Sequence, residues 1–124
     1  MVVDDQPSFR RAARALINTT SGFESVGDAD CGMEALRRAD RLRPDLVLMD
    51  VYMPGMDGFE TARHLTEAHP RCIVVLVSLE DFEGLAPTVA SSGAAAIVRK
   101  QDLRHALLRD LWKTHGSHSP EARH

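Results

Sequence analysis

The stretch Leu46-Val-Leu-Met-Asp-Val-Tyr-Met-Pro-Gly-Met-Asp-Gly58 decides the fold. Four consecutive apolar residues, Leu46 to Met49, read as a strand covered on both faces, the kind that belongs to a parallel sheet flanked by helices. Asp50 then falls at the carboxyl end of the strand, and Pro54-Gly55 turns the chain away. Ligands of open parallel sheets bind at that edge, where the loops leaving the strands form a crevice. Taken alone, a strand-end Asp fits a turn or a helix cap as well as a site, so the weight falls on the rest of the chain.

Working towards the N-terminus, Arg43-Pro44 closes a predicted helix over 32–42, with Met33, Leu36 and Ala39 inward and Arg37, Arg38 and Arg41 on a solvated face. Residues 23–28 are expected to form a strand. Before it, a helix follows Pro7 and carries Phe9, Ala12, Ala13, Leu16 and Ile17 on one face, ending at Thr19 to Gly22. Met1-Val2-Val3 is a short apolar strand running into Asp4-Asp5. Towards the C-terminus, a helix is expected over 58–69 with Phe59 and Ala62 inward, and an apolar strand over 72–78 ending in Ser78. A fifth strand is expected over 95–98, and Asp102 is expected to cap a last helix bearing Leu103, Ala106, Leu107 and Leu111. Between those strands, residues 82–92 have helical spacing but contain Gly84 and Pro87, so this fourth helix should be short or kinked by an interior proline.

Alternating strands and helices imply one α/β domain over residues 1–114, followed by a polar, frayed tail over 115–124. The expected architecture is flavodoxin-like: a doubly wound, five-stranded parallel sheet of order 2-1-3-4-5 with right-handed crossovers. The chain has 124 residues, a net charge of −3 and 27% charged residues, which gives no electrostatic case for direct contact with nucleic acid or anionic lipid. No apolar run approaches the roughly 18 residues of a membrane span and no signal-peptide pattern opens the chain, so a cytoplasmic location without a membrane partner is expected. Cys31 and Cys72 form no C-x-x-C and are expected as reduced thiols. His64 and His69 have no ligand-forming partners at a useful spacing.

With this topology the singled-out polar residues fall on one edge. Asp4 and Asp5 end strand one, Asp50 strand three, Ser78 strand four and Lys100 strand five. Strands one and three are neighbours at the switch point of the sheet, so three carboxylates converge there. Two carboxylates about 4 Å apart repel by roughly 4 kcal/mol at an effective dielectric near 20, so the trio calls for a cation or for protonation. Mg²⁺, with its preference for oxygen ligands and a partly aqueous shell, is the expected ion. Asp50 is then a candidate nucleophile towards phosphorus, Lys100 the fixed ammonium that neutralises the transferring group, and Ser78 a hydroxyl donor to a phosphoryl oxygen.

These motifs resemble the receiver domains of two-component response regulators over about residues 1–112. The likeness rests on Asp4-Asp5, the Asp50 segment with Pro54-Gly55 and Asp57-Gly58, Ser78, Gly93-Ala94 and Lys100. It implies that Asp50 accepts a phosphoryl group from a sensor histidine kinase. It also implies that Asp5 and Asp50 bind Mg²⁺ with help from Asp4 and the Tyr52 backbone carbonyl, and that Lys100 and Ser78 contact the phosphate. The wording around the acid pair and at Lys100-Gln101-Asp102 looks most like receivers that precede a LuxR-type DNA-binding domain.

In the switch region, Leu79 stands where the family usually has a small residue, Glu80 follows it, and Ile97 replaces the usual Tyr or Phe. The resemblance implies a phosphoprotein that catalyses its own modification without being a turnover enzyme, with a downstream protein as its target and a second copy of the chain as another candidate partner. Two other readings stay open: a receiver-like binding module indifferent to phosphate, favoured by Leu79 and Ile97, and a Mg²⁺-dependent hydrolase working through an aspartyl phosphate. The hydrolase is disfavoured because no cap segment is visible and no general acid lies two residues after Asp50.

Overall fold

The computed structural model describes residues 1–116, and the expected tail beyond Gly116 lies outside them. Five strands, β1 (Val2–Val3), β2 (Asp28–Ala29), β3 (Leu46–Asp50), β4 (Ile73–Ser78) and β5 (Ala96–Arg99), form one sheet of order β2-β1-β3-β4-β5. Every pairing is parallel, and the helices α1 (Pro7–Asn18), α2 (Gly32–Leu42), α3 (Gly58–Ala68), α4 (Ala86–Ser91) and α5 (His105–His115) connect or follow the strands. This is the flavodoxin-like sheet, order 2-1-3-4-5, that the sequence led us to expect.

The period of two in the strands sorts the core into two layers. Val3, Val47, Met49, Val74 and Leu76 pack under Ala35 and Ala39 of α2, Ala62 and Leu65 of α3, and Val89 of α4. Val2, Leu48, Val75 and Val77 face the other way, against Ala13 and Ile17 of α1 and Leu108 and Leu111 of α5. Burying a side chain such as Leu48 or Leu76 completely contributes about 2 kcal/mol of transfer free energy. β3 and β4 pair over five residues, Leu46 with Ile73 through Asp50 with Val77, and so form the stiff centre of the sheet.

Five local expectations are corrected. β2 is two residues long, not six, because its neighbour β1 offers only Val2 and Val3 as partners for Asp28 and Ala29. Phe23 instead packs against the α1–α5 layer, and Val26 is exposed. Met33 is 59% exposed; the buried face of α2 is Gly32, Ala35 and Ala39, one position out of phase with it. Pro87 is not interior: it lies in the first turn of the six-residue α4, where a missing N–H costs nothing. Asp102 caps no helix: it ends a 3₁₀ turn (Lys100–Asp102), and α5 begins at His105 without a side-chain cap. The expected tail starts too early, since α5 runs to His115 and closes at Gly116.

Both thiols are free. Among the described residues, no helix is long and apolar enough to cross a membrane.

Candidate functional site

Asp50 ends β3, and the chain stays tethered to β4 for one more residue through the Val51 N–H, which donates to the Val77 carbonyl at 3.0 Å. The turn that follows returns tightly. Gly55 takes a φ of +80°, a conformation open to glycine, and the Gly58 N–H donates to the Val51 carbonyl at 2.9 Å. A Cβ on Gly58 would collide with the Asp50 carbonyl oxygen, so only glycine lets α3 start this close to the end of β3. Asp57 caps α3, its carboxylate accepting from the Glu60 N–H at 2.9 Å.

Asp4 follows β1, held by its N–H to the Ala29 carbonyl at 3.1 Å. Its side chain is completely buried; Oδ1 accepts from the Gln6 N–H at 2.8 Å. Oδ2 has no hydrogen bond of regular geometry, although the Lys100 ammonium stands 2.7 Å from it as an ion pair. Asp5 is exposed beside it. One carboxylate oxygen from each of Asp4, Asp5 and Asp50 lies within 4.8 Å of the others. The three acids expected to converge therefore do so, and this all-oxygen donor set, with an incompletely satisfied buried Oδ2, fits a hard divalent cation.

Lys100 reaches the cluster because the 3₁₀ turn after β5 aims its side chain back across the sheet edge. Its Nζ lies 3.9 Å from Asp50 Oδ1, and the side chain is almost fully buried. Burial pushes the Asp50 carboxyl up to about 6, with the Asp4 and Asp5 charges adding to the rise, while Lys100 and a hydrogen bond from the Tyr52 backbone work against it. Asp50 is thus an acid whose ionisation is poised by its surroundings.

Ser78 ends β4 as expected, but its hydroxyl is engaged within its own loop. It donates to the Glu80 carbonyl at 3.2 Å and accepts from the Glu80 N–H at 3.1 Å. Leu79 is 61% exposed and lines a groove beside Phe9 and Lys100. Ile97 packs against the layer formed with α2, α3 and α4. The Tyr52 side chain points to solvent, leaving its backbone as the part next to the site.

Two side chains were not assigned to the site from sequence, where Phe9 reads only as part of the apolar face of its helix. Arg10 donates through Nη1 to the Asp4 carbonyl at 2.7 Å and approaches Asp28 Oδ2 at 3.5 Å, bracing the acidic loop against β2. Phe9 places its ring 4.3 Å from the Lys100 ammonium. Both stand in the first turn of the helix that follows Asp4-Asp5, which is the signal that could have found them.

The description of the response regulator receiver domain matches residues 1–111. The response regulator GacA of Pseudomonas viridiflava is 38% identical over 100 residues, covering 81% of this chain and 47% of that protein. A protein-glutamate methylesterase/protein-glutamine glutaminase of Geobacter metallireducens is 37% identical over 123 residues, covering 99% of this chain and 33% of that protein. The chain thus spans about half or less of the length of these curated relatives. Among solved structures, a two-component response regulator of the LuxR family from Aurantimonas sp. superposes with a TM-score of 0.84 at 27% identity, covering 99% of this chain and 90% of that one. Likeness is shared between regulators and methylesterases, so it is not specific to the LuxR type.

Proposed function

The chain belongs to the response regulator receiver family, and from that premise we propose that it is a signalling switch in which Asp50 accepts a phosphoryl group from a sensor histidine kinase. One observation carries this reading: Asp50 closes the central strand with carboxylate oxygens of Asp4 and Asp5 within 4.8 Å and the Lys100 ammonium 3.9 Å away. A carboxylate nucleophile, an acidic metal pocket and a fixed cation are the parts that phosphoryl transfer needs.

Asp4, Asp5, Asp50 and the Tyr52 carbonyl are the proposed ligands of Mg²⁺. Bound there, the ion supplies positive charge to the transferring phosphoryl oxygens. The protein's own residues do the rest. One Asp50 oxygen forms the new bond to phosphorus while the bond from phosphorus to the donor breaks, and the donor leaves with that electron pair. Lys100 faces the cluster from the β5 side and neutralises the developing charge. Ser78 reaches the phosphoryl group by giving up its bonds to Glu80. Leu79, Glu80 and Ile97 then report the change to a downstream protein.

The switch works in the cytoplasm, contacts neither nucleic acid nor membrane itself, and is not a turnover enzyme. The Lys100-Gln101-Asp102 wording supports a receiver of the kind found in LuxR-type regulators. The observation favouring a phosphate-indifferent binding module is the Ser78 hydroxyl, held in both directions by Glu80. Acetyl phosphate with Mg²⁺, followed by intact mass, separates the two: the switch gains one phosphoryl group and the binding module gains none.

A further inference from the structure

The Lys100 ammonium has three close neighbours: Asp4 Oδ2 at 2.7 Å, Asp50 Oδ1 at 3.9 Å and the centroid of the Phe9 ring at 4.3 Å. Charge explains the first two. The third plays no part in the chemistry proposed above. Phe9 stands in the first turn of α1, packs against the α1–α5 core layer, and shares a groove with Ala12, Leu16, Leu79, Lys100 and Leu103. A lysine stem has four rotatable carbons, so an ammonium bordering an open groove has a hydrated alternative to the acid cluster. An aromatic face removes that alternative, because it attracts the cation while keeping water off that side of it.

We propose that Phe9 is a positioning residue for phosphoryl transfer: its ring holds the Lys100 ammonium over Asp4 and Asp50 and away from the groove. The inference rests on the reading of Lys100 as the phosphate-neutralising cation. It separates the ring's π-face from its bulk, since leucine fills much of the same space against the core without attracting a cation. It also places the effect on the transfer step and not on metal binding, because a phenyl ring offers no oxygen ligand to a hard cation.

The test is the initial rate of phosphorylation of the full chain by acetyl phosphate at saturating Mg²⁺. It compares the parent, Phe9→Leu, Phe9→Tyr, Lys100→Ala and the Phe9→Leu/Lys100→Ala pair, with Mg²⁺ affinity measured alongside. Phe9→Leu is expected to slow transfer roughly 3- to 30-fold with Mg²⁺ affinity unchanged. Tyrosine, which keeps the ring, is expected to restore the rate, and Phe9→Leu should add nothing once Lys100 is gone.

A parent-like rate in Phe9→Leu while Lys100→Ala is slow overturns the inference and leaves the Lys100 reading standing. Equal slowing by leucine and tyrosine, or a full Phe9→Leu effect without Lys100, also overturns it. A parent-like rate in Lys100→Ala overturns the underlying reading and this one with it. If Phe9→Leu does not fold, the parent protein decides by NMR: ring current should move the Lys100 ε-methylene protons upfield of those of Lys113, and coincident shifts contradict the contact.

Discussion

The Lys100 ammonium stands closer to Asp4, at 2.7 Å, than to Asp50, at 3.9 Å. At rest, therefore, the cation chiefly neutralises a carboxylate that has no access to water. Replacing it by methionine strands that buried charge, and Lys100→Met is expected to lower stability by about 3 kcal/mol in urea unfolding at pH 7. Adding Asp4→Asn should recover part of the loss, because the two residues share one interaction. A single variant as stable as the parent would contradict the pairing.

The Asp50 carboxyl, raised from 3.8 to about 6, binds its proton more tightly folded than unfolded. Its stabilising contribution is therefore complete below pH 3.8 and is lost as the pH rises through 6. Asp50→Asn, neutral throughout, is expected to exceed the parent in stability at pH 8 by up to about 3 kcal/mol and to lose that advantage at pH 4. Mg²⁺ should narrow the gap at pH 8 by stabilising the parent alone. Parallel pH profiles for the two proteins would remove the strain assigned to ionised Asp50.

Gly58→Ala is expected to disturb the nucleophile more than the fold's other elements, since the added methyl meets the Asp50 carbonyl oxygen at the start of α3. We expect a loss of about 2 kcal/mol in stability and a slower phosphorylation rate, both of which Gly55→Ala should show less strongly. Gly55 has open space around a Cβ and only its positive φ to lose. Equal effects at the two glycines would show that backbone freedom, not the close approach to Asp50, is what matters at Gly58.

Phosphorylation of Asp50 should reach the surface through Ser78. Its hydroxyl must leave Glu80 to meet a phosphoryl group, which frees the loop before α4, and α4 has only six residues to resist. Ile97, β-branched and packed against the core layer under α2, α3 and α4, has no polar tip to exchange partners. Hydrogen exchange with and without beryllofluoride should change over residues 79–92. Unchanged protection there, with Asp50 occupied, would favour the phosphate-indifferent module.

The apolar runs at Leu46 to Met49 and Ile73 to Val77 were legible because burial on both faces leaves no room for a polar residue; their alternation with helices pointed to a parallel sheet, and its order was that of the flavodoxin-like fold. Asp4 and Asp50 were legible for the same reason, as each breaks an apolar run at its end, and Asp5 and Lys100 follow within a residue of such a break. What sequence could not show was phase and direction. Met33 is as apolar as Leu36, yet small alanines take the tight contact of α2 with the sheet. Lys100 could be placed at a strand end, but its choice of Asp4, and the Phe9 ring beside it, depend on a 3₁₀ turn that the Asp102 capping signal concealed.

The central claim is that Asp50 is the phosphoryl acceptor, and locating the acyl phosphate tests it most directly. Borohydride reduces an aspartyl phosphate to homoserine, which peptide mass mapping assigns to a single position. After acetyl phosphate and Mg²⁺, the expected result is homoserine in place of Asp50, with Asp4, Asp5 and Asp57 intact. Reduction at any of those three, or phosphate uptake that survives Asp50→Asn, would contradict the account.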